Sequence, residues 1–237
     1  MDIDEVLRRY AEGERNFQKL DLREAELINA NLCGADFSQT DLRQARLGKT
    51  NFSQAILKGA DLSEAILWGT DLTEANLYQA LLREADLSGA KLMQANLEQA
   101  NLTKASLCGA NLSKTKLAGS MLFEVDLRST SDQQTNLGQA ILSGADLSYA
   151  KISGAILYQA NLDGAKLCRA NLSKGILQDS FATDLTEASL RGADLSYANL
   201  NGVILLKTDL TGADLTGTTL KNADLRGAIM PDGTVHE

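Results

Sequence analysis

The sequence is poor in the residues that usually carry chemistry. It holds one histidine, one tryptophan, one proline and three cysteines in 237 residues. With the one histidine, His236, in the final segment, no Ser-His-Asp or Cys-His arrangement is on offer. Cys33, Cys108 and Cys168 lie far apart, without metal-ligand spacing, and an odd, scattered count suggests reduced thiols in the cytoplasm. No stretch of ~18 apolar residues suggests a membrane span, and no apolar N-terminal run suggests a signal peptide. No glycine-rich loop is built to cradle a phosphate. No catalytic residue, cofactor or metal is therefore expected. Positive charge is also short: the net charge is −8, which argues against general binding to nucleic acid or to an anionic membrane.

What is present is a period of five. Taking Leu22, Leu27, Leu32, Phe37 and Leu42 as centres, from Leu27 on the residue two before each is small (Ala25, Ala30, Ala35, Thr40), and the one before is often Asp or Asn. About 42 apolar centres run from Phe17 to Met230. On a helix the small residue and the Leu would face opposite sides, so no apolar stripe could form. In an extended segment both face inward and the Asp or Asn faces out. The next inward residue comes three later, so the chain must turn a corner there. Gly59, Gly69, Gly89, Gly109, Gly144, Gly164 and Gly192 suit such a corner. One repeat is then one side of a coil that closes after four sides. Coils stacked at ~4.8 Å would place Leu on Leu, pair their backbones and share stability between neighbours. About ten coils make a rod ~50 Å long.

The segments "ADLSEA", "ANLYQA", "ANLEQANLTKA" and "ADLRGA" resemble the pentapeptide-repeat family, whose motif is A(D/N)LXX. The resemblance implies an all-β solenoid, a right-handed quadrilateral β-helix. At the N-terminus "DIDEVLRRYA" reads as a helix with Ile3, Val6, Leu7 and Tyr10 on one face, Asp2 or Asp4 able to cap it and Gly13 able to end it. The expected division is a helical cap over 1–14, the β-helix over 15–230, and a tail over 231–237 that Pro231 begins.

The period breaks twice. Between Leu177 and Leu185 the centres are eight residues apart, so a bulge or small loop is expected near 178–184, with Phe181 tucked against the coil. In "STSDQQTNLGQA" the five-residue register survives, yet Asp132 stands where a core residue belongs. An unpaired carboxylate in the core costs several kcal/mol. Ser129, Thr130, Ser131, Asp132, Gln133, Gln134 and Thr135 are therefore expected to leave the wall as a surface loop.

That loop is one candidate for partner binding, because recognition residues concentrate on loops held by scaffolds. A second is a face of mixed charge, where Arg23, Arg43 and Arg83 line up beside Glu24, Glu64, Glu84 and Glu124. A third is Trp68, projecting from the next face in the column of Cys108. The cysteines, each just after a centre, are expected to be exposed neutral thiols.

Some pentapeptide-repeat proteins mimic DNA, bind gyrase and confer quinolone resistance. A duplex ~50 Å long carries ~30 negative charges, far more than this chain. The opening "MDIDEVLRRYAEGERNF", the closing "LRGAIMPDGT" and the "STSDQQT" interruption resemble cyanobacterial members that regulate heterocyst differentiation. That resemblance implies a non-enzymatic scaffold that contacts the master regulator HetR and opposes PatS-type peptide inhibition. A purely structural rod is the bland alternative. With both ends covered, a monomer is expected.

Overall fold

The computed structural model of the chain describes residues 3–174 and 181–237. One helix, α1 (Ile3–Ala11), precedes the repeats. Its Val6 is fully buried, and Ile3, Leu7 and Tyr10 pack on the first coils. The Tyr10 hydroxyl donates to Cys33 O at 2.9 Å.

From Asn16 onward each repeat contributes one residue paired in parallel with its counterpart a coil later. Asn16 pairs with Asp36, Asp21 with Asp41, Glu26 with Arg46 and Asn31 with Asn51. These four columns define walls 1 to 4 of a β-helical solenoid, with twenty residues to a coil. The pairing stays one residue wide, so among the described residues no extended strand forms. Only three residues of each repeat are extended before the next corner begins.

The corners are tight turns. Ala25 N–H donates to Leu22 O at 3.2 Å, and Glu24 sits at φ 58°. This is the geometry of a type II turn, whose third residue needs positive φ. Glycine is not the rule at that residue. Twenty-four non-glycine residues occupy it, mostly Gln, Glu and Lys, so glycine alone would have marked a minority of the corners. Each such residue costs roughly 1–2 kcal/mol of backbone strain. The N–H bonds that the corner makes offset this, as when Glu24 N–H reaches Arg43 O at 2.9 Å.

The repeat satisfies its backbone almost completely. Around Leu62, the N–H of Asp61 reaches Thr40 O at 3.0 Å, and that of Leu62 reaches Leu81 O at 2.7 Å. Glu64 N–H reaches Arg83 O at 2.8 Å, and Ala65 N–H reaches Leu62 O at 3.1 Å. The fifth N–H, that of Ser63, donates to Asp61 Oδ1 at 3.0 Å. The outward Asp or Asn is thus a cap for the corner that follows it. Among the described residues, Leu and Ala fill the interior to near-zero exposure from Leu32 to Val203. Threonines in the small slot donate to carbonyls of the preceding coil, as Thr70 does to Leu47 O at 2.8 Å. No buried side-chain N or O among the described residues lacks a partner.

The C-terminal end is closed differently. The tail turns back so that Val235 pairs antiparallel with Ile229, and Met230 N–H donates to Thr234 O at 2.7 Å. Leu215, Leu220 and Leu225 stay only partly buried beneath it.

Candidate interaction surface

Both breaks leave the same corner, the one between walls 3 and 4. Asn111 pairs with Asn136, twenty-five residues on, and Asn171 with Asn199, twenty-eight on. The first break is a whole extra repeat, which is why the register survived it. At the second, Leu177 and the core of the expected 178–184 loop lie outside the described residues.

The first loop is shorter than the expected one. Ser129, Thr130, Ser131, Asp132, Gln133 and Gln134 do leave the wall, and Asp132 is exposed rather than in the core. Thr135 does not; it is fully buried. It fills the small slot of wall 4, accepts the Gly109 N–H at 2.8 Å and donates to Arg128 O at 2.9 Å. The loop is closed by Thr130 N–H to Gln133 O at 2.8 Å, with Gln133 N–H returning to Thr130 Oγ1 at 3.0 Å. Thr183 repeats the arrangement at the second break. It accepts the Gly154 N–H at 2.9 Å and donates to Leu172 O at 2.6 Å.

Gly154 lies in the one regular corner between the two breaks and touches both. A Cβ there would overlap Ser129 Oγ and come within 3.4 Å of Phe181 Cβ. Gln134 Nε2 donates to Gly154 O at 2.9 Å. Phe181 rests on this corner and is 38% exposed, so it is only half tucked in. The shared corner could have been found in the sequence: Ser129 and Lys174 are two coils plus one inserted repeat apart.

Trp68 stands on the same corner, 40% exposed. It packs flat over Gly48, where a Cβ would come within 2.7 Å of its ring, and Lys49 Nζ lies 4.9 Å from the ring centre. Cys108 is in its column. The thiols are half-buried rather than exposed, because corner residues are shaded by the coils on either side. Burial pushes the Cys108 thiol up, and Asp126 adds to it. Cys33, Cys108 and Cys168 occupy three different corners, and no cluster of His, Cys, Asp and Glu among the described residues would hold a metal. No described helix is long and apolar enough to cross a membrane.

Arg23, Arg43 and Arg83 line up between walls 2 and 3, but two of them ignore the glutamates. Arg23 Nη2 lies 2.6 Å from Asp21 Oδ2 and Arg43 Nη2 lies 2.6 Å from Asp41 Oδ2. Each Nε also reaches the Asp of the next coil at 3.7 Å. The Asp cap is two residues back on the same outward side, within easy reach of a guanidinium fork. The Arg23 bonds, side-chain first, hold Asp21 at about 2. Arg83 alone meets a glutamate, Glu84, at 3.6 Å.

Further along this corner the residue types change. Tyr149, Arg169 and Tyr197 stack in one column, with the Arg169 guanidinium 5.9 Å from one ring centre and 5.6 Å from the other. Phe123 meets Tyr149 at 5.4 Å. These aromatic residues were not singled out in the sequence. Their places in the five-residue register, read with the inserted repeat allowed for, put them in one column.

Comparison with known proteins agrees with this architecture. Models of pentapeptide repeats match in eight copies, over residues 21–59, 60–99, 90–128, 133–164, 145–180, 182–206 and 193–230. The crystal structure of HetL, a pentapeptide-repeat protein involved in heterocyst differentiation regulation in the cyanobacterium Nostoc sp. strain PCC 7120, is 62% identical. It superposes with a TM-score of 0.98 over 100% of both chains. A pentapeptide-repeat protein of the Arabidopsis thaliana thylakoid lumen is 30% identical over 54% of this chain and 70% of its own, with a TM-score of 0.21. QnrB1, a plasmid-mediated fluoroquinolone resistance protein, is 16% identical over 84% of this chain and 89% of its own. Its TM-score of 0.31 is too low for the overlay to bear on this chain. No curated protein sequence matches. With its repeats covered by that family's models nearly end to end, the chain belongs to the pentapeptide-repeat family.

Proposed function

We propose that the chain is a non-enzymatic, protein-binding scaffold that promotes heterocyst differentiation by contacting HetR and opposing PatS-type peptide inhibition. The observation that carries this reading is the full-length likeness to HetL, 62% identical at a TM-score of 0.98. The scaffold is read as a right-handed quadrilateral helix of about ten coils, capped by residues 1–14, acting as a cytoplasmic monomer. A wall so rigidly bonded suits presentation of side chains rather than catalysis, which needs groups converging on one reacting atom.

The loop at Ser129–Gln134 supports recognition at the corner between walls 3 and 4, because Ser129 N–H holds one end on Ser153 O at 3.1 Å and Gln134 Nε2 holds the other on Gly154 O at 2.9 Å. The DNA-mimic alternative finds little support. Asp21, Asp41, Asp126 and Asp224 are each within 2.7 Å of an arginine, so these carboxylates are neutralised rather than presented as a phosphate-like stripe.

The test is binding of purified HetR to the protein and to a variant lacking Thr130–Gln134. That deletion leaves "VDLRSTNLGQ", an unbroken repeat, so the solenoid should stay intact. Binding by the wild type that the deletion abolishes supports the reading and assigns the loop. Equal binding by both supports HetR contact elsewhere on the walls. No binding by the wild type sinks HetR as the partner. Inhibition of gyrase supercoiling would instead favour mimicry, and full activity in vivo without either contact would favour a structural rod.

A further inference from the structure

The C-terminal half of wall 3, with the corner on each side of it, combines unpaired cations with exposed tyrosines on a protein of net charge −8. Its described segments 147–155, 167–174, 195–203 and 215–222 contain no aspartate or glutamate, and Asp146, Asp194 and Asp214 beside them are engaged as corner caps to the N–H groups of Ser148, Ser196 and Thr216. The segments contain Lys151, Arg169, Lys174 and Lys221, and none of these four has a carboxylate within 4 Å among the described residues. Most arginines of the chain do have one. The same wall and corners nearer the N-terminus carry Glu24, Glu26, Glu64, Glu84, Asp86, Glu124 and Asp126.

Three features make this panel more than a patch of stray charge. First, Arg169 is held between two tyrosines that are 45% and 60% exposed. Its hydrogen-bond donors are therefore oriented before any partner arrives, which reduces the entropy lost on binding. Second, Tyr197 is itself fixed, because it packs on Gly217, where a Cβ would come within 2.6 Å of the ring. Third, the opposite edge of the panel holds a shallow depression of about 530 Å³, lined by Lys174, Ala182, Asn201, Gly202, Lys221 and Asn222. Exposed Tyr and Arg are the residue types enriched where binding energy concentrates.

We propose that this panel is a docking surface for an acidic segment of a partner protein. Arg169 receives a carboxylate between Tyr149 and Tyr197, and Lys151, Lys174 and Lys221 flank the segment as it crosses wall 3. The inference rests on the reading of the chain as a protein-binding scaffold and adds where the partner sits and what chemistry it brings. A protein segment is favoured over nucleic acid on charge. Four cations on a chain of net charge −8 would neutralise few phosphates, and affinity for nucleic acid scales with that number.

The experiment uses the full-length protein and a fluorescein-labelled dodecapeptide of alternating Glu with Leu and Tyr. Its Lys-for-Glu counterpart and a single-stranded oligothymidylate of the same length run beside it. Binding is read by anisotropy and mapped by amide chemical shifts. The acidic peptide should bind and perturb amides of 149–174 and 197–221. Arg169→Gln should weaken it about tenfold, the loss of one charge-assisted contact. Lys116→Gln on wall 1 should leave it unchanged, and thermal unfolding should show both variants folded. Preference for the lysine peptide, equal affinity of Arg169→Gln, or shifts confined to other walls would overturn the proposal. Tighter binding of the oligonucleotide would make this a nucleic-acid surface, and self-association through the same amides would make it a dimer interface; either outcome also overturns it. Peptide binding is independent of HetR, so the panel can stand where HetR contact fails, and the reverse.

Discussion

In the N-terminal half of the solenoid the corner between walls 2 and 3 carries Arg23, Arg43 and Arg83, each within ion-pair reach of a carboxylate. In the C-terminal half the same corner carries Tyr149, Arg169 and Tyr197, and its arginine meets only rings. The backbone does not distinguish the two. Arg43 N–H is capped by Asp41 and Ser196 N–H by Asp194, and the core residues Leu42 and Leu195 are equally buried. A repeat that makes every coil alike inside leaves the outward positions free to differ. The functional content of such a chain therefore lies in where its outward columns stop repeating.

The largest expected effect tests the sameness. Leu107→Ala and Leu167→Ala, one from each half, should each cost about 2–5 kcal/mol and agree closely, as read by urea unfolding. Unequal costs would mean that the halves differ in packing as well as in surface.

Gly154→Ala should cost roughly 1–3 kcal/mol, because the residue is at φ 81° and a methyl would meet Ser129. Gly34→Ala, also at positive φ but with open space around it, should cost only the strain, about 1 kcal/mol. The difference, measured by thermal unfolding, is the contribution of the packed loop corner; equal costs would show that the loop simply moves aside.

Acid should separate the two stretches of the corner between walls 2 and 3. Asp21 is held at about 2 by its bonds to Arg23, and the Arg43 bonds draw Asp41 down likewise. A folded-state pKa below the unfolded one stabilises the protein at pH values above the ordinary carboxylate range. That contribution is lost as pH falls through the ordinary range toward 2. Asp21→Asn and Asp41→Asn together should therefore flatten the stability profile below about pH 4. Lys151→Gln, at a lysine with no carboxylate within 4 Å among the described residues, should leave it unchanged.

The smallest effect is on Arg169→Gln, which should shift stability by less than about 1 kcal/mol, the size of an exposed cation–π contact. A larger loss would make the tyrosine column part of the structure rather than a surface awaiting a partner.

Much of this was legible in the sequence, because period five is incompatible with a helix and forces a corner every repeat. Asp132 could be placed outside the core on cost alone. The buried fate of Thr135 could not, since its hydroxyl settles between the Gly109 N–H and Arg128 O, two partners that come together only where the chain leaves the wall. Nor could the cap role of Asp and Asn, whose oxygens read as merely outward until the turn placed an N–H beside them. The arginine partners were not legible for a related reason: columns show which residues are neighbours, not which of two nearby carboxylates a fork geometry prefers. Half-burial of the cysteines follows from stacking, which a single coil does not reveal.

The threonines at 135 and 183 have a practical corollary. Each seals the coil below by hand-over, taking the amide that extra chain would otherwise strand. A corner followed by threonine is thus a splice point where foreign sequence can be carried without opening the interior. A variant with Ala65→Thr and a short peptide epitope inserted after Glu64 should remain folded, which would turn the solenoid into a display rack with addressable slots.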